Sequence, residues 1–203
     1  MTFRLVLILL FAFLPLTVLA GQKILVFGDS LSAAYGIPRE AGWASLLDGQ
    51  LGREYPSYRV INASIGGETT SGGLTRIGSE LKAHAPAIVI IELGSNDSLR
   101  GLPIAQTRRN LALMIESCLQ SRAKVLLVGM RIPPNYGIQY TRDFSATFDD
   151  LAKHYQLALV PFLLDGIAGH PELMQPDGLH PVASAQPRIM RTVWQALQPM
   201  LKR

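Results

Sequence analysis

The sequence predicts an α/β protein, a three-layer α/β/α sandwich built on a five-stranded parallel sheet. Three observations carry this. Five short runs rich in apolar and β-branched residues recur along the chain, each of strand length. Longer segments lie between and after them, with apolar residues at helical spacing. The two kinds of segment alternate strictly, which implies parallel strands with helices on both faces. No internal repeat, low-complexity tract or linker interrupts the alternation, so residues 21–203 are expected to form one domain.

Residues 1–20 read as a signal peptide. Arg4 supplies the positive end, Leu5 to Leu19 is almost wholly apolar, and Val18-Leu19-Ala20 offers a small-residue cleavage site. The competing reading is a membrane anchor. The run is shorter than the ~20 apolar residues of a spanning helix, and Pro15 and Thr17 interrupt it. Cleavage near Ala20 predicts a periplasmic or secreted product with no stable membrane anchor.

The first strand is Lys23–Phe27. Gly28 then permits a sharp turn, and Asp29 and Ser30 are helix-start residues. A serine at a strand-to-helix turn is held out at the sheet edge with helix N–H groups nearby, although either residue could simply cap a helix. Trp43, Leu46, Leu47 and Leu51 make the first helical stripe, followed by strand Tyr58–Asn62. Leu74, Ile77 and Leu81 make the second stripe, before strand Ala87–Leu93. Leu111, Met114, Ile115, Cys118 and Leu119 make the third, before strand Lys124–Gly129. Phe144, Phe148, Leu151 and Tyr155 precede the last strand, Leu157–Pro161. Ile189, Met190, Val193, Trp194, Leu197 and Leu201 close the chain as a helix. Each strand is apolar enough to be buried on both faces.

Composition excludes several function classes. Loss of residues 1–20, which hold Arg4 and no acidic residue, lowers the formal charge from +4 to +3. The basic residues are scattered, so nucleic-acid binding is not indicated. Cys118 is the only cysteine, which rules out an internal disulfide and a cysteine-built metal site. Its place in an apolar stripe makes it a core thiol. His84, His154 and His170 lack ligand spacing and read as surface or structural residues. No metal or organic cofactor is expected.

In parallel α/β sheets ligands bind outside the carboxyl ends of the strands. Those ends carry Gly28-Asp29-Ser30, then Asn62 through Thr70 with Gly66-Gly67, then Gly94-Ser95-Asn96-Asp97, then Arg131 through Gly137. A long final connection carries Asp177-Gly178-Leu179-His180-Pro181. Each piece has an ordinary structural reading as a turn or a satisfied polar group. Together on one edge they are the parts of an acyl-transfer site.

On these residues the chain resembles the SGNH hydrolases, also called GDSL esterases and lipases. The resemblance rests on Gly-Asp-Ser-Leu at 28–31, Gly67, Gly-x-Asn-Asp at 94–97 and Asp-x-x-His at 177–180. It spans essentially all of the chain after residue 20. It is strongest with the periplasmic subgroup of thioesterases, lysophospholipases and arylesterases, which Asn62–Ile65, Ile91–Gly94, Leu99–Gly101 and Pro134–Gly137 also resemble. The resemblance implies a flavodoxin-like sheet. It also marks departures: Ser95 stands for a frequent glycine, Glu68 for a common aspartate and Gly66 for a frequent serine. Ser95 could alter the oxyanion-site backbone, and Gly66 could loosen the loop carrying Gly67.

The chemistry follows from the residues themselves. Ser30 is the expected nucleophile, His180 its general base and acid, and Asp177 the group that orients the imidazole. The N–H groups of Ser30 and Gly67 and the amide of Asn96 are the expected oxyanion donors, since a neutral amide donates without burying a charge. Leu31, Ile132, Pro133, Tyr136 and Met174 are expected to line an acyl groove, with ordinary loop packing as the alternative. The expected partner is a small acyl ester, thioester or lysophospholipid, bound by a monomer. A carbohydrate O-acetylesterase, or a non-catalytic lipid- or glycan-binding module, would use the same fold.

Overall fold

A computed structural model describes residues 21–202; the segment read as a signal peptide lies outside the described residues. Five strands form one sheet: β1 Gln22–Gly28, β2 Tyr58–Asn62, β3 Ile88–Glu92, β4 Lys124–Val128 and β5 Ala158–Val160. All pair parallel, in the order β2-β1-β3-β4-β5. This is the flavodoxin-like order, whose switch point lies between β1 and β3. The helices are α1 Trp43–Glu54, α2 Thr70–His84, α3 Ser95–Leu99, α4 Ile104–Gln120, α5 Ile138–Tyr155 and α6 Gln186–Leu197. α1 packs with α6, and α4 packs with both α2 and α5, giving the two outer layers.

Burial grades across the sheet. Every residue of β3 is buried, as expected of a strand covered on both faces. The outermost strands differ from the expectation: only Tyr58 of β2 and Val160 of β5 are buried. Each lacks a neighbour on one side, so the flanking helices cover it less fully. The helical stripes supply the rest of the core. Trp43, Leu47 and Leu51 face inward from α1, and Phe144 meets Phe148 edge-on at 5.4 Å from α5. Cys118 is fully buried, and burial pushes its thiol up to about 12. Leu119 departs from its expected stripe and is 41% exposed, because one residue past Cys118 turns the helix by about 100°.

One long-range bond sets the entry to α1. Its first residue, Trp43, donates its backbone N–H to Gln186 Oε1 of α6 at 3.0 Å. Gln186 is itself buried, so one side chain satisfies an orphan donor of α1 and locks the two helices together.

Candidate active site

The serine turn is built differently from the sequence expectation. Gly28 ends β1 and is not a turn glycine; it is needed because an added Cβ would lie 2.6 Å from Glu92 Oε2 and 2.7 Å from Ser32 Oγ. No α-helix starts at Ser30. The chain makes a single turn, with Ala33 N–H on Asp29 O at 2.9 Å and Tyr35 N–H on Ser30 O at 3.1 Å. Ala34 at φ 62° and Gly36 at φ 72° then carry the backbone into the left-handed region, and α1 begins only at Trp43. Asp29 organises this turn. Its Oδ1 accepts the Leu31 N–H at 3.0 Å, and its Oδ2 accepts the Asn96 side-chain amide at 2.9 Å.

The second arm arrives from the long connection before α6. Met174 bridges Pro181 in antiparallel fashion, and Gln175 N–H donates to His180 O at 2.7 Å. The loop between carries Asp177 and His180. Asp177 Oδ1 accepts the backbone N–H groups of Leu179 at 2.9 Å and His180 at 3.0 Å. Its Oδ2 lies 2.7 Å from His180 Nδ1, and His180 Nε2 lies 2.8 Å from Ser30 Oγ. The His180 N–H, then its ring, then the Leu179 N–H lower the Asp177 carboxyl to about 2. An ionised carboxylate only accepts, so Nδ1 carries a proton and Nε2 is free to accept one from Ser30. Gln175 latches the two arms: its Nε2 donates to Tyr35 O at 2.8 Å and to Pro181 O at 3.1 Å. The Tyr35 ring packs on the imidazole at 4.4 Å.

The three expected oxyanion donors come from adjacent strands at the switch point. Ser30 follows β1. Gly67 lies on the loop after β2, which is tied to β1 by Ile65 N–H on Gly28 O at 3.0 Å. Asn96 stands in α3, a short helix that directly follows β3 and that no helical stripe in the sequence marked. Gly94, at φ 122°, makes the entry to α3 that a side chain would strain. Ser95 takes no left-handed φ, so a glycine is not required there, and its Oγ is buried without a partner.

A cavity of about 540 Å³ opens beside Ser30 and is lined by Leu31, Ile132, Pro133 and Met174 of the expected groove. Leu99, Phe162 and Leu164 complete its apolar wall. Tyr136 is not among the lining residues; its hydroxyl faces the Leu99 carbonyl at 3.5 Å and its ring is partly exposed. His84, His154 and His170 lie away from Ser30: His84 faces Glu80, His170 faces Glu172, and His154 meets the Tyr155 ring. Among the described residues no acidic, histidine or cysteine cluster could hold a metal ion.

Sequence reasoning missed a buried carboxyl pair beneath Ser30. Glu92 Oε2 accepts Ser32 Oγ–H at 2.6 Å and Asp29 N–H at 3.3 Å, and both acids are fully buried. Burial pushes the Asp29 carboxyl up to about 6, against the pull of the Leu31 N–H, His180 and the Asn96 amide. Burial and then the charge of Asp29 hold Glu92 well above the usual carboxylate range. Adjacent carboxyls in a low dielectric do not both ionise, so Glu92 stays neutral beside a charged Asp29. The readable signal was an acid inside an apolar strand, Ile90-Ile91-Glu92-Leu93.

A parallel sheet of this order, with a Ser30–His180–Asp177 relay outside its strand ends, defines an α/β protein whose site lies at the sheet's carboxyl edge. The chain belongs to the GDSL-like lipase/acylhydrolase family, which matches residues 26–186. It is 48% identical to Esterase TesA of Pseudomonas aeruginosa over 90% of both chains, and 44% identical to an arylesterase of Vibrio mimicus over 96% of this chain and 97% of that one. It is 39% identical to the thioesterase 1/protease 1/lysophospholipase L1 of Escherichia coli K12, over 90% and 86%. The crystal structure of TesA superposes with a TM-score of 0.87 at 48% identity, covering 89% of this chain and all of that one.

Proposed function

We propose that this chain is a serine hydrolase that cleaves the carboxylic ester and thioester bonds of acyl substrates through an acyl-enzyme on Ser30. The observation that carries this is the continuous relay Ser30–His180–Asp177, at 2.8 and 2.7 Å, opening on an apolar cavity. Ser30 Oγ attacks the acyl carbonyl while its proton passes to His180 Nε2. The imidazolium is stabilised by the Asp177 carboxylate and returns the proton to the leaving alcohol or thiol. Water then repeats the sequence on the acyl-enzyme. The oxyanion is received by the N–H groups of Ser30 and Gly67 and by the Asn96 amide. Relatives named for esterase, arylesterase, thioesterase and lysophospholipase activities support this substrate class.

The apolar part of the cavity wall, with Leu31, Ile132, Phe162 and Leu164, suits an acyl chain better than a sugar, and Arg131 and Ser95 are the polar side chains that line it beyond the Ser30, His180, Asp29 and Asn96 cluster. Each methylene newly buried contributes about 0.8 kcal/mol, roughly fourfold in kcat/KM when realised in the transition state. We read the working form as a monomeric single domain, exported after cleavage near Ala20. None of the described helices is long and apolar enough to cross a membrane.

The test is steady-state hydrolysis of p-nitrophenyl esters from acetate to dodecanoate, beside an acetylated sugar. Ser30→Ala is expected to lower kcat on the order of 1,000-fold or more in a folded sample. In the unaltered enzyme kcat/KM rises over the first few carbons and then levels off. Ser30→Ala activity within tenfold of the unaltered enzyme sinks the nucleophile assignment. A steep preference for acetate, with the sugar cleaved faster still, replaces the acyl reading with the carbohydrate O-acetylesterase.

A further inference from the structure

We propose that Arg100 is a positioning residue for the oxyanion site, acting by tethering the Gly67 backbone; the inference rests on the reading of Gly67 and Asn96 as oxyanion donors. Gly67 sits at the apex of a β-turn closed by Glu68 N–H on Ile65 O at 3.2 Å. Its φ of 75° is the value glycine takes at the third position of such a turn.

The shoulders of this turn are firmly held. On one side Ile65 N–H reaches Gly28 O at 3.0 Å, and Gly28 N–H reaches Ser64 Oγ at 3.1 Å. On the other, Arg76 Nε donates to the Glu68 carboxylate at 2.8 Å, and Thr70 N–H donates to Asp97 Oδ2 at 2.8 Å. The apex is different. Gly66 and Gly67 are both exposed, and a Cβ added at Gly66 would meet no atom within 4 Å. Two consecutive glycines leave the backbone its widest freedom at the residue whose N–H must point at the oxyanion.

One side chain restrains that apex. Arg100 Nη2 donates to Gly67 O at 2.9 Å. Arg100 caps the end of α3, one turn after Asn96, and its own N–H bonds Asn96 O at 3.2 Å. The short helix and its cap residue therefore carry the amide donor and hold the carbonyl of the residue that supplies the backbone donor. Asp97, between them, ties the start of α2 to this helix. Displacing a catalytic group by about 1 Å costs up to roughly 100-fold in rate. An exposed hydrogen bond adds little to stability, so Arg100 matters for geometry more than for folding.

The experiment compares Arg100→Ala, Arg100→Lys, Gly66→Ser and the Arg100→Ala/Gly66→Ser pair on p-nitrophenyl butyrate, a neutral ester, and on an anionic acyl-CoA thioester. Arg100→Ala is expected to lower kcat about tenfold on both substrates with KM within about twofold. Arg100→Lys, which still donates one bond, recovers most of the loss. Gly66→Ser alone leaves kcat within about twofold; on the Arg100→Ala background it restores at least about threefold, because a side chain narrows the freedom the tether had suppressed. Arg100→Ala within twofold of the unaltered kcat overturns the proposal. So does a change confined to KM for the anionic thioester, which makes Arg100 a headgroup contact. A kcat loss that Gly66→Ser does not relieve also overturns it, since a purely electrostatic role for the guanidinium would not respond to backbone stiffness. Asn96→Ala run in parallel separates the two readings: if it lowers kcat on the order of 100-fold or more while Arg100→Ala is normal, the oxyanion reading stands and only the tether falls.

Discussion

Asp29 carries more of the site than its place beside Ser30 suggests. One carboxylate oxygen fixes the Leu31 N–H and the other orients the Asn96 amide. Asp29→Asn keeps the size of the side chain but sets a carboxamide against a carboxamide. If the new amide accepts from Leu31, its NH2 faces the NH2 of Asn96, and one of the two must turn away. Losing an oxyanion donor outright costs on the order of 100- to 1,000-fold. Asp29→Asn is therefore expected to lower kcat by about 10- to 100-fold with little change in KM. Steady-state kinetics on a neutral ester checks this; an unchanged kcat would mean that Asn96 is oriented without Asp29. Gly28 belongs to the same arrangement, since only a residue without a Cβ lets Glu92 and Ser32 close beneath the nucleophile.

Among the elements, the contact between α1 and α6 hangs on a side chain that no local pattern announces. Gln186 opens α6, yet its Oε1 serves the first N–H of α1, 143 residues earlier in the chain. Replacing it with leucine keeps the bulk but leaves the Trp43 N–H buried without an acceptor. Gln186→Leu is expected to destabilise the protein by about 1–3 kcal/mol, read as a lower urea midpoint at unchanged slope. A midpoint within error of the unaltered protein would show that the N–H finds another partner. The esterase rate should survive the change, because neither helix touches the cavity.

The buried acids also leave a signature in the stability of the fold as a function of pH. Asp29, raised to about 6, holds its proton in the native state after the unfolded chain has released it. Native protein then binds more protons than unfolded between about pH 4 and 6, so stability falls as pH rises through that window. Asp177, lowered to about 2, acts oppositely: its contribution is present above about pH 4 and is lost as pH falls towards 2. It is exposed, so solvent screening makes it the weaker influence. Glu92, held well above the usual carboxylate range, acts in the same direction as Asp29 and extends the fall to higher pH. Melting curves from pH 3 to 8 should show stability falling from about pH 4 upward, and Asp29→Asn should lessen the slope between about pH 4 and 6 while the Glu92 part remains. An unaltered slope in the variant would assign the effect to other groups.

Much of this protein was legible in one dimension. Burial of β3 within a parallel sheet demands an unbroken apolar run, and Ile88–Ile91 supplies it. A chain of alternating strands and helices puts every strand's carboxyl end on one edge, so Ser30, Gly67, Asn96 and the Asp177–His180 pair had to gather there. Those conclusions need only periodicity and chain direction, which are local properties. What the tertiary structure alone decided are the contacts between segments far apart in sequence: Glu92 under Gly28, Gln175 on Tyr35, Gln186 on Trp43 and Arg100 on Gly67. The missing helix after Ser30 belongs with them, because Ala34 and Gly36 turn left-handed where Gln175 fills the space a side chain at Gly36 would occupy. Hydrogen bonds of this kind depend on distances of a few tenths of an ångström between elements. Composition and spacing set which residues share an edge, and only packing sets which of them touch.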